Sequence, residues 1–244
     1  MLIAIIILSI ISIPLFLAML YIGVKVKTVF STYDKQGASC GLTGSDVARK
    51  ILDANGLTDV KIAGCKGMLT DHYNPLKRTV YLSQSTINSA SIAAISVAAH
   101  EVGHAIQHAN GYLPIKIRSA IAPIVSITSK LVFPLIIIGI ILEQLAMALP
   151  EFNFSYEFYV AALACYGFYC LFAFVTLPCE YNASSRAKDQ LIELSLITQD
   201  EERIVSRVLG KAAQTYLLSF LYATVRFLRI LLILLSNRNR RSRR

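Results

Sequence analysis

The chain has 244 residues, 55% of them hydrophobic and only 16% charged, with a formal net charge of +9. A soluble domain carries about 25% charged residues, so this composition excludes one and places much of the surface in lipid. Cys40, Cys65, Cys165, Cys170 and Cys179 form an odd set without a CxxC pair, which excludes a disulfide framework. The basic excess lies beside apolar blocks and therefore suits anionic lipid rather than nucleic acid.

Residues 2–24 form the first apolar block, long enough to span a bilayer as a transmembrane helix within residues 1–24. It lacks the basic start, short apolar core and small-residue cleavage site of a secretory leader. Residues 25–116 read as an α+β part. Thr43-Gly44-Ser45-Asp46 caps a helix with Val47, Ile51 and Leu52 on its apolar face, and Gly56 stops it. Strands are predicted at 60–63, 68–73 and 79–83, punctuated by Gly64, Gly67 and Asn74-Pro75. Thr79-Val80-Tyr81-Leu82 is expected at the sheet edge, where it pairs with a substrate backbone or serves as an ordinary strand.

The next helix carries His100-Glu101-Val102-Gly103-His104. Ser89 or Ser91 caps its start, residues 92–99 lead in, and Gly111 closes it. Histidines at i and i+4 lie on one face about 6 Å apart along the axis, a spacing that lets both imidazoles reach one zinc ion. Glu101 then stands where it acts on a water at that ion. The plainer alternative is a buried helix whose histidines bond to backbone carbonyls. His108 continues the series but sits about 12 Å from His100, too far for bonds of about 2 Å to one ion. It reads as a supporting or surface residue near the helix end.

Further apolar blocks occupy residues 117–142, interrupted by Lys130 and Pro134, then 158–177 and 216–235. Residues 117–178 are read as two transmembrane helices joined by a short acidic loop with Glu143, Glu151 and Glu157. Lys25, Lys27, Lys35, Lys116 and Arg118 flank the α+β part, and Arg186, Lys188, Arg203, Arg207 and Lys211 follow the third block. The positive-inside rule then makes both of these segments cytoplasmic and the acidic loop external. Residues 179–213 are a helical part, and 214–244 a membrane-associated helix with a basic tail (Arg238, Arg240, Arg241, Arg243 and Arg244). Arg226 and Arg229 share a helical face, so an interfacial amphipathic helix is expected there rather than a fourth span.

A third ligand has to come from elsewhere. Glu180, in Leu177-Pro178-Cys179-Glu180-Tyr181-Asn182-Ala183-Ser184-Ser185-Arg186-Ala187, opens a helix beside the third block. On the residues alone it is equally a ligand that completes a two-His, one-Glu set and an interfacial glutamate. Cys179 reads as a small membrane-face residue.

Together HEVGHAIQH, Asp71-His72-Tyr73-Asn74-Pro75 and LPCEYNASSRA resemble the bacterial membrane zinc metallopeptidases of the neutral zinc metallopeptidase (YugP-like) family. The Glu180 stretch also resembles, more loosely, the third-ligand motif of CAAX prenyl proteases and heat-shock membrane proteases, in which an aspartate is usual where Ser184 stands. Ser184 or Asn182 then substitutes for a carboxylate behind a ligand histidine. The resemblance implies one zinc per chain on His100, His104 and Glu180, with Glu101 as general base. For the oxyanion or substrate, His72, Tyr73 and Arg186 are candidates. The expected fold is a mainly α membrane protein: transmembrane helices plus a small α+β zincin-like catalytic domain around the HExxH helix. The expected function is a multi-pass endopeptidase of the cell membrane, its catalytic domain cytoplasmic. Its partners are the lipid bilayer and protein or peptide substrates, with no nucleic acid. The alternative is a zinc-binding adaptor without catalysis.

Overall fold

A computed structural model describes residues 1–149 and 154–241. Glu151, Arg243 and Arg244 lie outside the described residues. In chain order these form α1 (Leu2–Tyr33), α2 (Gly44–Ala54), β1 (Lys61–Cys65), β2 (His72–Asn74), β3 (Thr79–Ser83), α3 (Gln84–Ile87), α4 (Ile92–Ala109), α5 (Leu113–Ala148), α6 (Ser155–Glu193) and α7 (Gln199–Arg241). Two compact units divide the chain. One comprises Met1–Met19, Arg118–Val175 and Leu218–Arg244; the other comprises Leu20–Ile117 and Thr176–Leu217.

The first unit is helical. Leu2–Tyr33, Leu113–Ala146, Ser155–Glu193 and Gln199–Ser236 are each long and apolar enough to cross a membrane. Within this unit α6 and α7 run antiparallel: the Cys170 thiol donates to the Ala223 carbonyl at 3.2 Å. The Phe174 and Phe220 rings lie 5.6 Å apart. Residues 216–235 are part of one unbroken helix of 43 residues that begins at Gln199, so the membrane-associated segment expected there continues the helix before it. Helix α5 also runs unbroken through Lys130, which is exposed.

The second unit has a core of Val47, Ile51 and Leu52 from α2, Val80 and Leu82 from β3, Ile92, Ile95, Ala98 and Val102 from α4, and Leu191, Leu196 and Val205. Helix α2 begins as its sequence dictates. Thr43 accepts from the Asp46 amide while the Asp46 carboxylate accepts from the Thr43 amide, and Gly56 follows at φ 70°. The sheet order is β1-β3-β2, with β1 parallel and β2 antiparallel to β3.

Two expectations change here. Residues 79–83 are the central strand, paired on both sides, so Thr79-Val80-Tyr81-Leu82 offers no edge to a substrate. Among the described residues β1 and β2 are the outer strands, each paired on one side only, and β2 is the one tied to α4. Strand β2 also starts later than residue 68, because Gly67 (φ 100°) and Leu69 (φ 58°) turn the chain out of extended geometry. Asp71 then pins the strand start to the end of β3: its carboxylate accepts from the Ser83 amide at 2.7 Å and the Ser83 hydroxyl at 3.0 Å.

Candidate metal centre

Helix α4 is the frame of the site. Ser91 caps it, accepting from the Ala94 amide at 3.1 Å, and Gly111 lies past its end at φ 64°. The lead-in Ile92, Ala93, Ala94, Ile95 and Ala98 is fully buried, which holds the motif turn inside the unit. Against this turn packs the segment of α6 that carries Cys179 to Arg186. The two backbones approach closely at Gly103, where a β-carbon would stand 2.5 Å from the Ala183 carbonyl oxygen. Only glycine fits there.

This approach gathers three groups. His100 Nε2 lies 3.1 Å from Glu180 Oε2, and His104 Nε2 lies 3.6 Å from Glu180 Oε1. One ligand atom from each residue falls within 4.8 Å of the others. Four ligands placed tetrahedrally at about 2.1 Å from zinc sit about 3.4 Å apart, a value the two observed distances bracket. The donor set of two imidazoles and one carboxylate suits zinc and leaves a fourth position for water.

Each histidine is held from behind. His104 Nδ1 donates to Gln107 Oε1 at 3.0 Å, and His100 Nδ1 lies 3.2 Å from the Ser184 hydroxyl. These contacts at Nδ1 orient the rings with Nε2 toward Glu180, the arrangement a metal needs. Gln107 is fully buried, and its amide donates to the Cys179 carbonyl at 2.7 Å and to Asn182 Oδ1 at 2.9 Å. The Cys179 thiol donates to Gln107 Oε1 at 3.3 Å, so both ends of the amide are used. Gln107 lies outside the short motif from His100 to His104. The signal was available: it is a polar residue three positions after a ligand, on a helix whose lead-in is apolar.

Burial lowers the His104 pKa, but hydrogen bonds to Cys179 and Glu180 and the charges of Glu180 and Glu101 outweigh it and push the value up to about 10. Glu101 is buried at 7% exposure. Desolvation raises its pKa against the opposing pull of His100 and His104, and no described side chain donates to it. It is therefore a carboxylate with unspent basicity beside the ligand set.

The other candidates go elsewhere. His72 is exposed, stacks on Tyr81 with ring centroids 4.8 Å apart, and bonds through Nδ1 to the Thr70 carbonyl at 2.9 Å. Tyr73 bonds to His108 Nδ1 at 3.0 Å, one helical turn beyond His104. Arg186 donates from Nε to Asn182 Oδ1 at 2.8 Å, joining the network behind His104. None of the three contacts the His100, His104 and Glu180 side chains directly.

Comparison with known proteins agrees with this chemistry. Residues 8–235 match the family described as "Putative neutral zinc metallopeptidase". A "Putative membrane protease YugP" of Bacillus subtilis is 41% identical over 215 residues, which cover 88% of this chain and 91% of that protein. No solved structure matches the chain.

Proposed function

The chain belongs to this family of neutral zinc metallopeptidases, and from that premise we propose that it is a membrane-embedded endopeptidase that cuts membrane or membrane-proximal proteins. The observation that carries the reading is the convergence of His100, His104 and Glu180, with Glu101 buried on the same helix as the two histidines. His100, His104 and Glu180 would hold one zinc, which supplies an acidified water and an electrophile for the scissile carbonyl. Glu101 takes the proton of the attacking water at its carboxylate and returns it to the departing amine. Gln107 and Ser184 keep the two imidazoles oriented throughout.

An extended peptide has a natural seat on the free side of β2. Tyr73 on that strand is tied to His108 on α4, which keeps the strand beside the motif helix. Main-chain pairing there binds substrate without a fixed sequence, as edge-strand addition does elsewhere. The basic segments around the second unit favour a cytoplasmic site.

The test is Glu101→Gln in the full-length protein. It should keep its zinc and lose cleavage of membrane-protein substrates by a factor of about 100 to 10,000. Wild-type rates in that variant would end the proposal.

A further inference from the structure

Two arginines interrupt the apolar stretch of α7, residues 216–235, at Arg226 and Arg229. At i and i+3 they share one helical face. Arg226 stands near the middle of the stretch, about 15 Å of helix from either end. Both are only partly exposed. The Arg226 guanidinium lies over the Tyr222 ring, 5.6 Å from its centroid, and Nη1 donates to the Tyr222 hydroxyl at 2.9 Å. Phe16 closes on the same tyrosine, with ring centroids 6.0 Å apart. The tyrosine thus holds the guanidinium beside the helix.

These charges lack their natural counterpart. The four apolar stretches of the chain, residues 2–24, 117–142, 158–177 and 216–235, contain no Asp or Glu. A guanidinium offers five N–H donors, and one donated bond from Arg226 is described. A cation in hydrocarbon is costly unless paired, which marks such residues as sites of interaction. A second copy of this chain brings no acid to that depth. A lipid phosphate at the surface lies farther away than an arginine side chain reaches. The remaining source is a helix of another protein.

We infer that the Tyr222–Arg226–Arg229 face docks a transmembrane helix that carries a carboxylate near mid-span, such as a substrate or adaptor of the peptidase. This rests on the reading that α7 crosses the membrane.

The experiment uses the full-length protein in phosphatidylcholine vesicles and three labelled synthetic transmembrane helices, identical except for Glu, Gln or Leu at mid-span. Energy transfer measures association. The Glu helix should bind about tenfold more tightly than the other two, and R226Q/R229Q should abolish that preference. Equal binding of the Glu and Gln helices to wild type overturns the inference without recourse to any variant. So does a preference that survives R226Q/R229Q, or an arginine-dependent preference for phosphatidylglycerol in its place. Zinc content of the double variant reports whether its second unit is intact. Labelling of R226C by a water-soluble maleimide, relative to the parent, separates the two readings. Protection with no Glu preference overturns the docking site alone, whereas ready labelling overturns the membrane crossing of α7 and the inference with it.

Discussion

Gly103→Ala perturbs the closest packing of the motif helix with one methyl group. That methyl would meet the Ala183 carbonyl oxygen at 2.5 Å, its carbon at 3.2 Å and Cα at 3.3 Å, where ordinary contact starts at 3.4 Å. The obstacle is backbone, so no side chain can swing away, and the helices must part locally by about 0.9 Å. Glu180 sits on α6 one turn before Ala183, and His104 is the next residue after Gly103. A metal site tolerates ligand displacements of only about 0.2 Å, so the separation exceeds the tolerance several-fold. Alanine in an exposed helix would add about 1 kcal/mol of stability over glycine, whereas overpacking costs about 1–3 kcal/mol, and the second effect falls on the ligands themselves. Zinc affinity should therefore fall roughly 10- to 100-fold, measured by competition with a chromogenic chelator on purified protein, with cleavage falling in parallel. A variant with wild-type zinc affinity and a raised Tm would refute the reasoning, because it would show that the Gly103–Ala183 approach does not set the ligand geometry.

Gln107→Leu leaves His104 Nδ1, the Cys179 carbonyl and Asn182 Oδ1 without their common partner. Zinc affinity should drop about 10- to 100-fold in the same competition assay, and an unchanged value would reduce Gln107 to core filling. Glu180→Ala removes the group that joins α6 to both histidines, so metal analysis should find less than one zinc per chain; full occupancy would exclude Glu180 as a ligand. Chelation should lower the Tm of wild type, restored by added zinc, since a ligand that binds only the folded state at 100 times its Kd adds about 2.7 kcal/mol. A Tm indifferent to chelator would separate the metal from the packing of α4 on α6.

What could be read from the sequence was what neighbouring residues decide. The capping of α2 by Thr43 and Asp46 and the helical spacing of His100 and His104 are properties of a few consecutive positions, and periodicity exposes them. Strand order is not local. Residues 79–83 have the same composition whether central or at an edge, and only the placement of β1 and β2 on either side makes β3 central. The late start of β2 depended on Leu69 taking a left-handed backbone, which its side chain does not advertise. Gly103 is locally no more than a position between the two histidines, because its meaning lies in Ala183, which is 80 residues farther along the chain. Glu180 is equally a ligand and an interfacial residue by its own neighbours for the same reason, and only a resemblance spanning three motifs joins it to the histidines.

The distance along the chain between these partners bears on how the site works. Its histidines come from α4 and its carboxylate from α6, and the groups that orient them cross the same contact: Ser184 reaches from α6 to His100, and Gln107 reaches from α4 to Cys179 and Asn182. Tautomer, ligand distance and helix packing are therefore one equilibrium. A metal bound by this set would tighten the α4–α6 contact, and a change that loosens the contact would act on the metal first. Buried Glu180 gives the coupling its sign. Glu180 and Glu101 both draw a proton toward His104, whose pKa is pushed up to about 10. A metal held by His100, His104 and Glu180 would compete with that proton, and Glu101 would be the basic group of the site not committed to a ligand.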